Sequence, residues 1–281
     1  MRFARVAVDG VSRVVVSDDA SVRISPVSAS LDVLAAIELV RSGGSVGWEI
    51  VDLEGLDLLA PIARPGKIIA VGLNYADHTT ETGLVQPDRP LTFAKYSSSI
   101  AGPHSDIVVP DHLTGQVDYE AELAVVIGRR CGGESRATLA DVAGYTVAND
   151  VSARDVQFSD VQWTRGKSFD TFTPLGPWLV TPDEFGDPRD HRICTEVDGV
   201  ILQNDSTSAM IFGVEDLLHF IGQGVTLDPG DLILTGTPSG AGAFRMPPRF
   251  LQHGETVTVS ISGIGELRNR VVYQSLLSQQ N

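Results

Sequence analysis

Residues 117–128 read VDYEAELAVVIG and alternate with a period of two. In an extended strand that places Val117, Tyr119, Ala121, Leu123, Val125 and Ile127 on one face and Asp118, Glu120 and Glu122 on the other. Carboxylates on alternate residues sit about 7 Å apart at the backbone, and their ends can approach more closely. At about 4 Å and an effective dielectric near 20, two of them repel by roughly 4 kcal/mol, so the row must face water, share protons or hold a cation. Taken alone, the stretch fits a half-solvated antiparallel strand as well as a metal site.

Strand signals dominate outward from this stretch. KIIAVGL (67–73), VAGYTVAND (142–150), DLILTG (231–236) and ETVTVSIS (255–262) are short runs rich in β-branched residues, with turn pairs such as Asp198-Gly199 and Pro229-Gly230 between them. Helices are expected near 152–160 and over VEDLLHFIGQG (214–224), without a regular strand–helix alternation. The fold class is therefore α+β, mostly β, and a doubly wound parallel sheet is disfavoured. Before residue 65 the chain reads as two short strands and one helix, SLDVLAAIELVRSG (30–43), with Ser30 as its N-cap. Pro61, Pro65 and Gly66 then mark a break, dividing a small α/β module at 1–64 from a catalytic domain at 65–281.

Composition excludes several classes of function. The 281 residues carry 21 Lys and Arg against 36 Asp and Glu, a net charge of −15, which makes nucleic acid and anionic membrane poor partners. No run of 18 apolar residues and no signal-type leader occur, and Cys131 and Cys194 are too few for a disulfide framework. A reducing, cytoplasmic location is expected. RGKS (165–168) lacks the earlier glycine of a phosphate loop, since position 161 is Val161; GTPSGAG (236–242) is not a nucleophile elbow; and no H-E-x-x-H occurs.

Two constellations remain. GYTVANDVSARDVQ (144–157) reads as a strand ending at Asp150 and a helix starting near Ser152, with Asp155 as a capping-box partner. Asp150 is then either an N-cap or a third oxygen ligand beside Glu120 and Glu122. Three carboxylates with open positions suit Mg2+ or Mn2+ better than Zn2+. On this helix Arg154 and Gln157 share a face, and Arg154 either pairs with Asp155 or meets an anionic substrate. In NYADHTTETG (74–83), His78 and Glu81 are three apart, within reach on a helix, so a carboxylate can orient an imidazole base. The polar, Gly- and Pro-punctuated stretch from Asp77 to Pro90 suits a mobile lid carrying that base.

VGLNYADHTTETG (71–83), DYEAELAVVIG (118–128), GYTVANDVSARDVQ (144–157), GKSFDTFTPLGPW (166–178), TGTPSGAG (235–242) and GELRNRVV (265–272) occur in this order. Together they resemble the fumarylacetoacetate hydrolase superfamily over roughly residues 65–275. The resemblance implies a mixed β-roll or sandwich catalytic domain, a homodimer, and a divalent cation held by Glu120, Glu122 and Asp150. It maps the family's base pair onto His78 and Glu81 and its further contacts onto Lys167, Gln157 and Thr237, with Arg154 beside them and Lys95 as an additional candidate cation. Asp118 receives no role. The implied substrate is a small anionic α-keto acid whose enolate the cation stabilises. The first expectation is hydrolysis of a C–C bond in an acylpyruvate. Oxaloacetate decarboxylation, dienoate isomerisation and a catalytically silent ligand-binding relative are the alternatives.

Overall fold

The acid-bearing stretch does not run as one strand. In the computed structural model, which describes residues 1–18, 21–29 and 31–275, Val117–Asp118 pairs with Ser152–Ala153, and a separate strand Ala121–Ile127 pairs with Val142–Asn149. The break falls at Tyr119 and Glu120. There the Glu120 N–H donates to the Asn149 side chain (3.0 Å), and the Asp150 N–H donates to the Glu120 carbonyl (2.9 Å), so two chain segments are stitched side by side.

The strand Ala121–Ile127 is buried along its whole length, so of the two readings open to the stretch the half-solvated strand is excluded. Leu123, Val125 and Ile127 enter the core between two sheets, while Ala124 and Val126 pack on the opposite side with Val33, Ala36 and Ile37 of the helix Val33–Arg41. A carboxylate placed at the start of such a strand is desolvated. Water is thereby removed as its partner.

Among the described residues the larger sheet has twelve strands. At its middle lie Ala121–Ile127, Val142–Asn149 and Thr173–Val180, and it ends at the edge strand Leu91–Lys95, which pairs with Ile68–Gly72. A five-stranded sheet built from 107–110, 192–197, 200–206, 256–261 and 265–274 packs against it through residues such as Ile193, Val257, Val259 and Leu267. The architecture is mixed and mostly β, as the resemblance implies. The first strand, Arg2–Val8, pairs antiparallel with Thr173–Val180, so the amino-terminal strands extend the larger sheet.

Two local expectations need correction. Ser30 lies outside the described residues, and the helix Val33–Arg41 is capped by Asp32, whose side chain accepts from the Ala35 N–H. The helix near 152 is Arg154–Ser159, with Ala153 at its N-cap and no side-chain capping bond. Asp155 instead accepts from the Thr114 hydroxyl (2.6 Å) and the Gly115 N–H (3.0 Å), because the backbone of Ser152 and Ala153 is already committed to a strand pair.

Candidate active site

The start of Ala121–Ile127, the end of Val142–Asn149 and the helices Ala76–Thr82 and Arg154–Ser159 converge on one cavity of about 80 Å³. His78, Glu120, Glu122, Arg154, Gln157, Lys167 and Thr237 line it. Glu81 and Asp150 stand directly behind, bonded to His78 and Lys167.

Glu120, Glu122 and Asp150 are all buried and offer one oxygen each within 4.8 Å of one another. Lys167 bridges two of them, with Nζ donating to Glu120 Oε2 (2.8 Å) and Asp150 Oδ2 (2.7 Å). Lys95, reaching in from the edge strand, donates to Asp150 Oδ1 (2.5 Å) and the Phe172 carbonyl (3.0 Å). Arg154 donates from Nη2 to Glu120 (2.6 Å), from Nε to Asp118 (2.8 Å) and from Nη1 to the Gln157 side-chain oxygen (3.0 Å). It does not pair with Asp155. Among the described residues Glu122 receives only the Gly236 N–H (2.8 Å).

Four buried carboxylates, counting Asp118, thus face three buried cations, and Glu122 is the one left without a cation. Burial and then the charges of Asp150 and Glu120 push the Glu122 carboxyl well above the usual carboxylate range. Burial acts the same way on Glu120, but Lys167 and Arg154 outweigh it and hold that carboxyl below its ordinary range. Desolvation likewise opposes the Lys167 charge, and Asp150 and Glu120 overcome it, so the ammonium is held charged. Oxygen-only donors, clustered and short of positive charge, fit a hard divalent cation such as Mg2+ or Mn2+.

Opposite the carboxylates, His78 Nδ1 lies 3.2 Å from Glu81 Oε2, and the Gly240 N–H donates to both Glu81 oxygens (3.0 and 3.1 Å). A carboxylate there accepts the Nδ1 proton and leaves Nε2 as the basic nitrogen. His78 is buried and meets the Phe244 ring edge-on, with centroids 5.5 Å apart.

TGTPSGAG explains much of this order. Its backbone N–H groups serve three acids: Gly236 serves Glu122, Gly240 serves Glu81, and Gly242 serves Asp118 at 2.7 Å. Gly236 and Gly240 have φ of 94° and 103°, and a Cβ on Gly240 would sit 2.1 Å from the Leu202 carbonyl, so these donors are aimed by a backbone only glycine supplies. Asp118 also accepts from the Ala243 N–H (2.9 Å), so its role is to tie Arg154 to this loop. Gln203, which the sequence did not single out, donates to the Thr237 hydroxyl and the Pro238 carbonyl (2.8 Å each) and fixes the loop from below.

Residues 67–272 match the family model described as fumarylacetoacetate (FAA) hydrolase C-terminal. The chain is 46% identical over 242 residues, 85% of this chain and 76% of the relative, to a mitochondrial oxaloacetate tautomerase of Bos taurus. A fumarylacetoacetate hydrolase structure from Exiguobacterium antarcticum aligns with a TM-score of 0.85 at 38% identity, covering 98% of this chain and all of that one. A 5-carboxymethyl-2-hydroxymuconate delta-isomerase structure from Mycobacterium smegmatis aligns at 0.79 and 36% identity, with 98% and 100% covered. No helix among the described residues is long and apolar enough to cross a membrane. The expected cytoplasmic location has no support from the bovine relative, whose name places it in the mitochondrion.

Proposed function

Because the chain belongs to the fumarylacetoacetate hydrolase family, we propose that it catalyses proton transfer at C3 of a 2-keto acid, interconverting keto and enol forms, with Mg2+ or Mn2+ held by Glu120, Glu122 and Asp150. The observation that carries this reading is the oriented pair His78–Glu81 facing three clustered carboxylates across one small cavity. When bound, the cation withdraws electron density from the acid's keto and carboxylate oxygens and so acidifies C3–H. His78 Nε2 takes that proton, the C3–H electron pair becomes the C2–C3 double bond while the C2–O π pair moves onto the keto oxygen, and the imidazolium returns the same proton to that oxygen to complete the enol. Glu81 steadies the imidazolium as it forms. Lys167 holds Glu120 and Asp150 in place and contributes positive charge beside the anionic substrate, while Gln157 and Thr237 line the cavity as polar contacts.

Proton transfer is preferred over hydrolysis because the oriented base performs it without a second reactant, and over decarboxylation because the 46% identical bovine relative is named a tautomerase. Hydrolysis of an acylpyruvate is the second reading, supported by the likeness to the bacterial fumarylacetoacetate hydrolase. It requires the same base to activate a water that attacks the distal carbonyl. A homodimer accompanies both readings; its support is the unpaired edge strand Leu91–Lys95 and an apolar groove of about 760 Å³ between it and Phe220 and Ile221.

The test is the decay of enol absorbance of oxaloacetate with Mg2+ or Mn2+ present. His78→Ala is expected to slow it 10²- to 10⁴-fold, the usual worth of a general base. An unaffected rate in that variant would rule out His78 as the proton carrier.

A further inference from the structure

The cavity changes character along its length. Its floor is charged and buried, whereas the residues that open to solvent are Leu84 (54% exposed) and Phe158 (56% exposed). Between floor and mouth stand two aromatic walls. On one side the Phe93 and Trp163 rings meet edge-on with centroids 5.3 Å apart. A Cβ on Gly72 would come within 2.6 Å of the Trp163 ring, so a bare backbone is what lets the indole lie there. On the other side stands Phe244, set against His78 and beneath the Arg154 guanidinium at 5.4 Å.

Both cations that line the cavity belong to its buried floor. Arg154 is committed to Asp118, Glu120 and Gln157, and Lys167 to Glu120 and Asp150. Nearby Arg165 is exposed and paired with Asp160. A substrate's second carboxylate, placed toward the mouth, would lose water against aromatic rings and gain no counter-ion. An apolar group there would gain from the same walls.

We infer that this site selects 2-keto acids whose substituent beyond C3 is apolar, an aryl or alkyl group, and disfavours those ending in a second carboxylate. The inference rests on the enolisation reading for its assay but makes its own claim about binding. Phenylpyruvate and oxaloacetate are a matched pair, since they differ only in carrying a phenyl or a carboxylate on C3.

The experiment follows C3 hydrogen exchange into D2O by NMR for both acids on the Mn2+-loaded protein, above a Mn2+-only blank. The kcat/KM for phenylpyruvate is expected to exceed that for oxaloacetate by about 10- to 100-fold, the worth of one ring buried against apolar walls. Trp163→Ala should remove at least tenfold of the phenylpyruvate rate and leave inhibition by oxalate, which has only the head group, within about threefold. Phe158→Ser, at an exposed position that folding does not depend on, should shift the preference in the same direction by a smaller factor. Equal or inverted preference, or a Trp163→Ala loss shared by both acids, overturns the inference. Should neither acid exchange above the blank, enolisation fails, while calorimetric dissociation constants still decide the inference: phenylpyruvate must bind at least tenfold more tightly than oxaloacetate.

Discussion

The strand Ala121–Ile127 has charge clusters at both ends, and they behave as different materials. At its start, Asp118, Glu120, Asp150, Lys95, Arg154 and Lys167 pair with side chains no more than 7% exposed. Beyond its far end, where the Ile127 N–H donates to the Asp231 carbonyl, Arg130 pairs with Asp228 and Lys67 with Asp228 and Asp231; the Arg130 and Asp228 side chains are 73% and 42% exposed. Asp231 is itself buried, but water screens the Arg130–Asp228 pair, whereas it is excluded from the first cluster. The same side-chain chemistry therefore works as solubilising decoration at one end, and at the other as a network in which every missing partner is felt.

Removing Asp118 should break this contrast most sharply. Asp118→Ala leaves the Arg154 guanidinium buried with one carboxylate fewer and frees the Gly242 and Ala243 N–H groups. Urea unfolding is expected to show a loss of about 3–5 kcal/mol, the usual cost of an orphaned buried charge. A loss under about 1 kcal/mol would mean that the network is solvated after all.

A smaller effect comes from pH. The Glu122 carboxyl is held above its ordinary value of 4.5 by burial and by Asp150 and Glu120. Its stabilising contribution is full below that value and is lost as pH rises through the raised one. Glu120 is shifted downward, so its contribution is present above 4.5 and is lost only as pH falls. Metal-free protein should therefore lose stability as pH climbs above the ordinary carboxylate range, by up to about 1.4 kcal/mol per unit for one proton. Mn2+ should abolish that loss by taking the proton's place. Urea midpoints with EDTA and with Mn2+ across the range check both halves, and a flat metal-free profile would contradict the assignment.

The smallest effect belongs to the exposed cluster. Arg130→Ala should change stability by less than about 1 kcal/mol, and less still in high salt. A larger loss would erase the distinction between the two ends.

How far the sequence could be read follows the same division. The period-two row of acids at 118–122, Asp150 at a strand end and His78 with Glu81 were legible because each is a local pattern. Seven of the nine assigned site residues line one cavity, and Glu81 and Asp150 stand directly behind it. What escaped was carried by distant backbone. Asp118 found no role because its partners, Gly242 and Ala243, lie 124 and 125 residues away and donate through main-chain N–H groups that any residue possesses. TGTPSGAG carries the family resemblance and Thr237, but its sequence does not say that the backbone N–H groups of its three glycines serve Glu122, Glu81 and Asp118. Trp163 was overlooked as well. It stands four residues before Lys167, whose N–H donates to its carbonyl (3.1 Å), so its place at the cavity follows from a turn that composition alone does not reveal. The Asp155 cap failed for the opposite reason: a correct local motif lost to the strand pair at Ser152 and Ala153.

The central claim is that three desolvated carboxylates, one of them without a cation, form a divalent-metal site. Calorimetric titration of Mn2+ into EDTA-treated, dialysed protein, repeated in buffers of different ionisation enthalpy, tests it most directly. One equivalent should bind, with proton release that grows as pH is lowered, because the raised Glu122 carboxyl must ionise to take the cation, and Glu122→Gln should weaken binding by at least a hundredfold while abolishing that release. Wild-type and Glu122→Gln proteins that bind Mn2+ equally well, or a wild-type protein that binds none, would contradict it.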